Sequence, residues 1–181
     1  KYEFRDFVFH GDGDIDSLRV TSGAGVVTIN DSLQFPSTSI SILAAGDVSD
    51  INLTTSANQA INAANLSVRI SHLKDGIRIQ FNPSSIVLNQ KTWRVDKNGE
   101  LTISKSIVDA SEIRMTNGEQ EILISSIPSE LGNTHDIIAS LHRVNLGDIL
   151  PFVLKEPQIQ GITSGEITVE DPLNKLKVYL N

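Results

Sequence analysis

Apolar and polar residues alternate along several stretches of the chain. Residues 66–70 and 77–81 each place a large apolar side chain at every second position, with polar residues in between. A period of two is typical of a β-strand with one apolar and one polar face. The pattern therefore predicts strands that each have one face to bury. The same alternation recurs over shorter lengths at residues 93–95, 101–103, 113–115, 122–124 and 167–169.

Short turn signals separate these predicted strands. They are Lys-Asp-Gly at residues 74–76, Asn-Pro at 82–83, Lys-Asn-Gly at 97–99 and Thr-Asn-Gly at 116–118. Asn, Asp and Gly tolerate the positive φ angles that tight hairpins require. Connections this short cannot carry the chain across a sheet, so they predict antiparallel neighbours.

One stretch, residues 145–156, has the period of a helix. Its apolar residues recur at spacings of three and four, at Leu146, Ile149, Leu150 and Val153. Asn145 or Asp148 is available as the N-cap, and Pro157 would end the helix. The apolar run at residues 137–141 is too short for its period to distinguish a strand from a helix.

The predicted strands have more apolar surface than one short helix can cover. At about 12 residues for each strand and its turn, the chain holds roughly 14–15 strands. Two arrangements would remove their apolar faces from water. The sheet can fold on itself as a sandwich or barrel, or it can form an open trough whose lining is covered by an apolar guest.

Composition excludes several classes of function. The net charge is −7, and a protein that neutralises nucleic-acid phosphates is expected to carry a basic patch instead. There is no cysteine, which removes disulfides and thiolate chemistry. No apolar run approaches the roughly 20 residues of a membrane-spanning helix. We expect residues 1–181 to form a single fragment of a longer repetitive β protein, with any anchor or signal outside it.

Candidate reactive sites are weak. Asp12, Asp14 and Asp16 alternate as calcium ligands can, but the loop has Ser17 and Gly23 where an EF-hand requires Gly and Glu. A solvated hairpin turn is the favoured interpretation of this loop. The four histidines lack metal-ligand spacing, and the chain has no Gly-x-Ser-x-Gly nucleophile elbow. We therefore expect neither an enzyme nor a bound metal or cofactor.

Three motifs in residues 66–181 resemble a recurrent segment of the TamB family of AsmA-like proteins. Residues 81–93 contain S-x-x-x-x-N-x-x-x-W, and residues 118–124 contain G-x-Q-x-I-x-I. A short predicted helix then precedes G-x-x-x-G-x-x-x-V-x-x-P at residues 161–172. The motifs are similar to the C-terminal part of the family, whereas residues 1–65 agree only in general style.

The resemblance implies a fold and a setting. TamB-like proteins are long periplasmic chains anchored in the inner membrane of Gram-negative bacteria, with a taco-shaped β trough lined by apolar residues. They are implicated in phospholipid transport to the outer membrane and, with an Omp85-type barrel partner such as TamA or a BamA-like protein, in outer-membrane protein assembly. The implied fold here is all-β: a long, curved antiparallel sheet forming an open hydrophobic trough, with the short helix at 145–156.

The apolar residues at every second position of the alternating strands are predicted to line this trough and to contact phospholipid acyl chains. Apolar burial has no preferred direction, so a chain held in this way could slide from strand to strand. The residues predicted to line the groove are Val68, Ile70, Ile77, Ile79, Phe81, Val95, Leu101, Ile103, Ile113, Met115, Ile122, Ile124, Ile167 and Val169.

Two alternatives from other classes stay open. The chain could be a structural or adhesive sandwich or solenoid module whose apolar faces pack together without a ligand. It could also be a platform whose exposed edge strand pairs with a partner protein or with a second copy of the fragment. The helix at 145–156 would either cap part of the groove or serve as a docked connector.

Overall fold

The computed structural model describes residues 2–14, 16–29, 33–55, 63–88, 90–129, 134–148, 160–173 and 177–180. This part of the chain forms one open antiparallel sheet of sixteen strands, which confirms the predicted all-β open-sheet fold. The strands are β1 (Tyr2–Arg5), β2 (Val8–Gly13), β3 (Ser17–Ile29), β4 (Leu33–Ala45), β5 (Val48–Thr55), β6 (Ala63–Leu73), β7 (Gly76–Phe81), β8 (Ser84–Leu88), β9 (Lys91–Val95), β10 (Glu100–Ser104), β11 (Val108–Ser111), β12 (Ile113–Asn117), β13 (Gln120–Pro128), β14 (His135–Asn145), β15 (Ile162–Glu170) and β16 (Lys177–Leu180).

Four pairs of strands lie end to end, and each pair acts as one interrupted strand, here called a rung. β1 and β2 both pair with β3, and β7 and β8 both pair with β6. In the next pair, β9 lies beside β8 and β10 lies beside β7. In the last pair, β12 lies beside β9 and β11 lies beside β10. With four pairs joined, the sixteen strands form twelve rungs in sequence order. At about 4.8 Å per neighbour, the sheet extends on the order of 50 Å across its rungs.

Each interruption contains a proline or a residue with positive φ. The positive-φ residues are Asp6 (φ 53°) between β1 and β2, Asn98 (φ 80°) between β9 and β10, and Glu112 (φ 49°) between β11 and β12. Pro83, which has no N–H to donate, separates β7 from β8. The interruptions do not reverse the chain: β1 and β2 keep one register against β3, whereas the registers of β7 and β8 against β6 differ by one residue, as in a β-bulge.

Two of the four predicted turns reverse the chain and two do not. The turns at 74–75 and 118–119 connect antiparallel neighbours, β6 to β7 and β12 to β13. Residues 82–83 and 97–99 instead lie inside rungs, so the prediction of antiparallel neighbours there is wrong. Asn, Pro and Gly occur both in hairpin turns and in bulges, and the local sequence does not distinguish them.

The predicted helix begins directly after β14. Residues 146–148 are helical, and the Asn145 side chain caps them by accepting a hydrogen bond from the Gly147 N–H at 3.1 Å. The Asp148 carboxylate binds the Lys91 ammonium at 2.6 Å, which fixes the helix start against β9. Residues 149–156 of the prediction lie outside the described residues. The undecided segment at 137–141 is part of strand β14.

Gly76 lies where two rungs approach closely. A Cβ atom added to Gly76 would lie 2.1 Å from the carbonyl oxygen of Ile103 on the neighbouring strand β10. That oxygen belongs to the backbone and cannot rotate away. An added methyl group therefore requires β7 and β10 to move apart.

We expect Gly76→Ala to lower the free energy of unfolding by about 1–3 kcal/mol, the usual cost of overpacking. Urea denaturation monitored by circular dichroism measures the effect. Gly23→Ala is the matched control in a strand, because its added Cβ would meet only the Thr38 carbonyl oxygen at 3.9 Å. Equal losses in the two variants would contradict the close approach.

Candidate functional site

The strand register places all fourteen predicted lining residues on one face of the sheet, here called the apolar face. Residues directly opposite each other in an antiparallel ladder share a face. Val68 lies opposite Phe81, and Ile79 lies opposite Leu101. Farther along the sheet, Met115 lies opposite both Val95 and Ile122. The remaining lining residues follow by the same pairing: Ile70, Ile77, Ile103, Ile113, Ile124, Ile167 and Val169.

Side chains on the apolar face are shielded to different degrees. Val95, Ile113 and Ile122 are buried, and the other eleven predicted lining residues are half-buried. On the opposite face, Arg78 and Arg94 are exposed. The two faces of the sheet are therefore unequal in solvent contact as well as in composition.

The apolar face also covers the N-terminal half of the sheet, which the sequence prediction did not include. Two rows of side chains extend it. The first row crosses five rungs, and the other includes Ile40, Leu53 and Leu66. The alternating Ser-Ile-Ser-Ile at residues 39–42 is a signal that could have revealed this extension. The first row consists of Val20, Ile42, Ile51, Val68 and Phe81.

A compact core closes one part of the apolar face. Trp93 is 0% exposed, Val144 is 1% exposed, and both pack with the buried Ile122. The partly buried residues around them are Ile86, Met115, Ile124 and Leu141. Among the residues that the structure describes, the indole N–H of Trp93 has no hydrogen-bond partner. The core is thus held together by apolar packing, and it contrasts with the half-buried rows on β3–β7.

Cross-strand ion pairs lie on the face opposite the apolar one. Arg69 binds Asp50 through two hydrogen bonds of 2.8 and 3.1 Å, and Arg78 binds Glu100 at 2.9 Å. The hydrogen bond from Arg69 lowers the pKa of Asp50, and Asp50 in turn raises the pKa of Arg69. Exposed pairs of this kind contribute little stability, but they keep this face hydrated.

The aspartate-rich loop is a turn rather than a constructed ion site. The Asp14 carboxylate accepts hydrogen bonds from the backbone N–H groups of Ser17 (2.9 Å) and Asp16 (3.0 Å), and these bonds lower the pKa of Asp14. Within the described ranges, no group of three His, Cys, Asp or Glu side chains is placed to hold a metal ion.

No helix in the described part of the chain has both the length and the apolar character needed to cross a membrane. Comparisons with protein-family models, with curated proteins and with solved structures returned no match to this chain.

The Trp93 core should be the most sensitive packing region of the sheet. We expect Ile122→Ala to lower the free energy of unfolding by about 2–4 kcal/mol, because it leaves a cavity beside Trp93. Ile127→Ala on the same strand is the matched control, since Ile127 is 45% exposed, and should cost less than about 1 kcal/mol. Urea unfolding of both variants checks the difference, and similar losses would contradict a localised core.

Proposed function

We propose that the apolar face binds the acyl chains of phospholipids and holds them along the sheet. The observation that carries this proposal is the continuity of the apolar rows across many rungs of a single sheet. In the described residues all sixteen strands belong to that one sheet, so no second sheet is packed over the half-buried rows on β3–β7. Apolar surface on this scale is normally a binding surface.

Acyl chains suit the geometry and the energetics of this face. Each methylene group removed from water contributes about 0.8 kcal/mol, so even a short contact with the rows is favourable. The attraction is non-directional, and the rows present Val, Ile, Leu and Phe without an intervening charge between β3 and β7. A bound chain can therefore shift along the rungs without meeting a strongly preferred position.

We further propose that the chain is a TamB-like segment of the Gram-negative cell envelope. On this proposal it acts in the periplasm, in a protein anchored in the inner membrane, and contributes to phospholipid transport to the outer membrane. An Omp85-type barrel would be the partner of the full-length protein in outer-membrane protein assembly. We propose a binding role rather than an enzymatic one.

The convergence of the three sequence motifs in space supports the TamB-like proposal. Trp93 of the first motif packs with Ile122 of the second in the compact core. Gln120 of the second motif accepts a hydrogen bond from the Asn145 N–H at 2.7 Å, directly before the helix. Gly161, which opens the third motif, accepts one from the Leu146 N–H at 2.9 Å. Motifs far apart in sequence thus form one structural unit.

The Trp93 core gives specific support to a second candidate, a structural module without a ligand. Complete burial of a tryptophan within the chain's own residues is what a dry core requires. The two candidates differ on β3–β7, where the lipid hypothesis predicts a guest and the structural hypothesis predicts none. The experiments below therefore address those strands.

Photocrosslinking in cells tests which face meets lipid. A photoreactive amino acid at Ile79 should label phospholipid, whereas one at the neighbouring Arg78, which faces the opposite side of β7, should label little. Ile124 and Leu123 on β13 provide a second such comparison. Mass spectrometry of the crosslinked products measures both. Equal labelling from the two faces would rule out a lipid-binding apolar face.

Charge placement tests the same face with purified protein. We expect Ile51→Glu to weaken binding of a phospholipid carrying a fluorescent acyl chain by about tenfold or more, since the carboxylate would have to be desolvated beside the guest. Asn52→Glu adds the same charge to the exposed opposite face and should leave the affinity unchanged. Unchanged binding by a folded Ile51→Glu variant would favour the structural module.

A further inference from the structure

The sheet splits between β11 and β13. β13 pairs with β12 from Gln120 to Ile124, but beyond Ile124 it has no main-chain ladder on this side in the described residues. The only ladder that β11 forms within the described chain is with β10. The split thus begins where the rung made of β11 and β12 is interrupted at Glu112.

Three side chains bridge this split. The Ala110 N–H donates to Ser126 Oγ at 3.1 Å, and the same hydroxyl lies 3.1 Å from the Ala110 carbonyl oxygen. Ser126 also contacts the Asp109 carboxylate, whose Oδ1 is 2.8 Å from His135 Nδ1. The Ser126 hydroxyl thus accepts from the Ala110 N–H, and its single proton is shared between two neighbouring acceptors, the Asp109 carboxylate and the Ala110 carbonyl oxygen.

Two of the three bridging residues lie on the apolar face, whereas Asp109, opposite Thr102, has the parity of the other face. Ser126 lies on the same face of β13 as Ile122 and Ile124, and His135 lies on the same face of β14 as Ile137. The hydrogen bond from Ser126 is the largest cause that lowers the pKa of Asp109, and the one from His135 adds to it against the opposing effect of burial. The bridge thus stabilises the ionised carboxylate.

Among the described residues, no main-chain ladder has to break for this split to widen. Separating β13 from β14 would break a ladder with eight residue pairs in register. Separating β11 from β13 breaks no ladder among the described residues, but it breaks the hydrogen bonds of Asp109, Ser126 and His135 and the packing around Ala110, which is 3% exposed. Regions held by few hydrogen bonds are those that open first in a native protein.

We propose that the split is a lateral gate of the apolar face, through which an acyl chain enters or leaves, and that Asp109, Ser126 and His135 hold the gate closed. The passage of an acyl chain rests on the proposed lipid-binding function. The opening of the split does not depend on it.

Hydrogen exchange at the Ala110 amide, followed by NMR, tests the opening. We expect Ser126→Ala to raise the exchange rate about tenfold, because it removes the acceptor of that N–H. Ser125→Ala on the opposite face should leave the rate unchanged, since Ser125 takes no part in the bridge. Equal rates at Ala110 in the wild-type protein and in Ser126→Ala would overturn the proposal.

A reversible crosslink tests the passage of lipid. The chain has no cysteine, so the double variant Asp109→Cys/Ser126→Cys carries a single disulfide when oxidised and lacks the bridge when reduced. We expect the reduced form to load a phospholipid with a fluorescent acyl chain faster than wild type, and the oxidised form to load it more slowly. Equal loading rates in the two forms would overturn the gate.

The two tests separate the two proposals. If neither the wild-type protein nor the double variant binds lipid, the proposed function fails and the gate has no acyl chain to pass. Hydrogen exchange at Ala110 would still decide whether the split opens. If lipid binds but the oxidised and reduced forms of the double variant load it at equal rates, the binding function stands and only the gate is overturned.

Discussion

The main-chain register of one antiparallel sheet decides which side chains of this protein meet. Side chains alternate between faces with a period of two, so a slip of one residue would move a whole strand's apolar set to the hydrated face. The assignment of side chains to faces is kept even where rungs are interrupted. Phe81 and Ser84 share the apolar face although they are three residues apart, as do Ala110 and Ile113. The interruption in each of these two rungs takes up the odd residue and restores the parity.

Local alternation was sufficient to predict the face of each residue, because a period of two needs no knowledge of the partner strand. The fourteen predicted positions therefore fall on one face. The order of the strands was less accessible, since Asn82-Pro83 has the composition of a turn but lies inside a rung. Val144 was missed for a related reason: Arg143, with φ 51°, is part of a bulge that returns Val144 to the apolar face three residues after Leu141. Tertiary pairing, not local sequence, determines both features.

The apolar face is covered to different degrees in different parts of the sheet. Around Trp93, rungs on several sides supply enough apolar atoms to enclose an indole completely. On β3–β7 the chain supplies no such cover within the described residues, and side chains such as Ile51 stay half-buried. The first region rigidifies the sheet, while the second retains the free energy that a guest would gain by covering it.

The split at β11 lies between these two regions, because β10 continues the open rows and β13 contributes Ile122 to the closed core. An acyl chain on the rows of β3–β7 would meet increasing side-chain enclosure as it moved towards Trp93, since a packed core resists insertion of additional methylene groups. Passage beyond that point along the face is therefore costly. A sideways exit between β11 and β13 would break no main-chain ladder among the described residues, and it would remove the acyl chain before the core is reached. The position of the bridge would thus reconcile a closed core with the proposed movement of an acyl chain along the face.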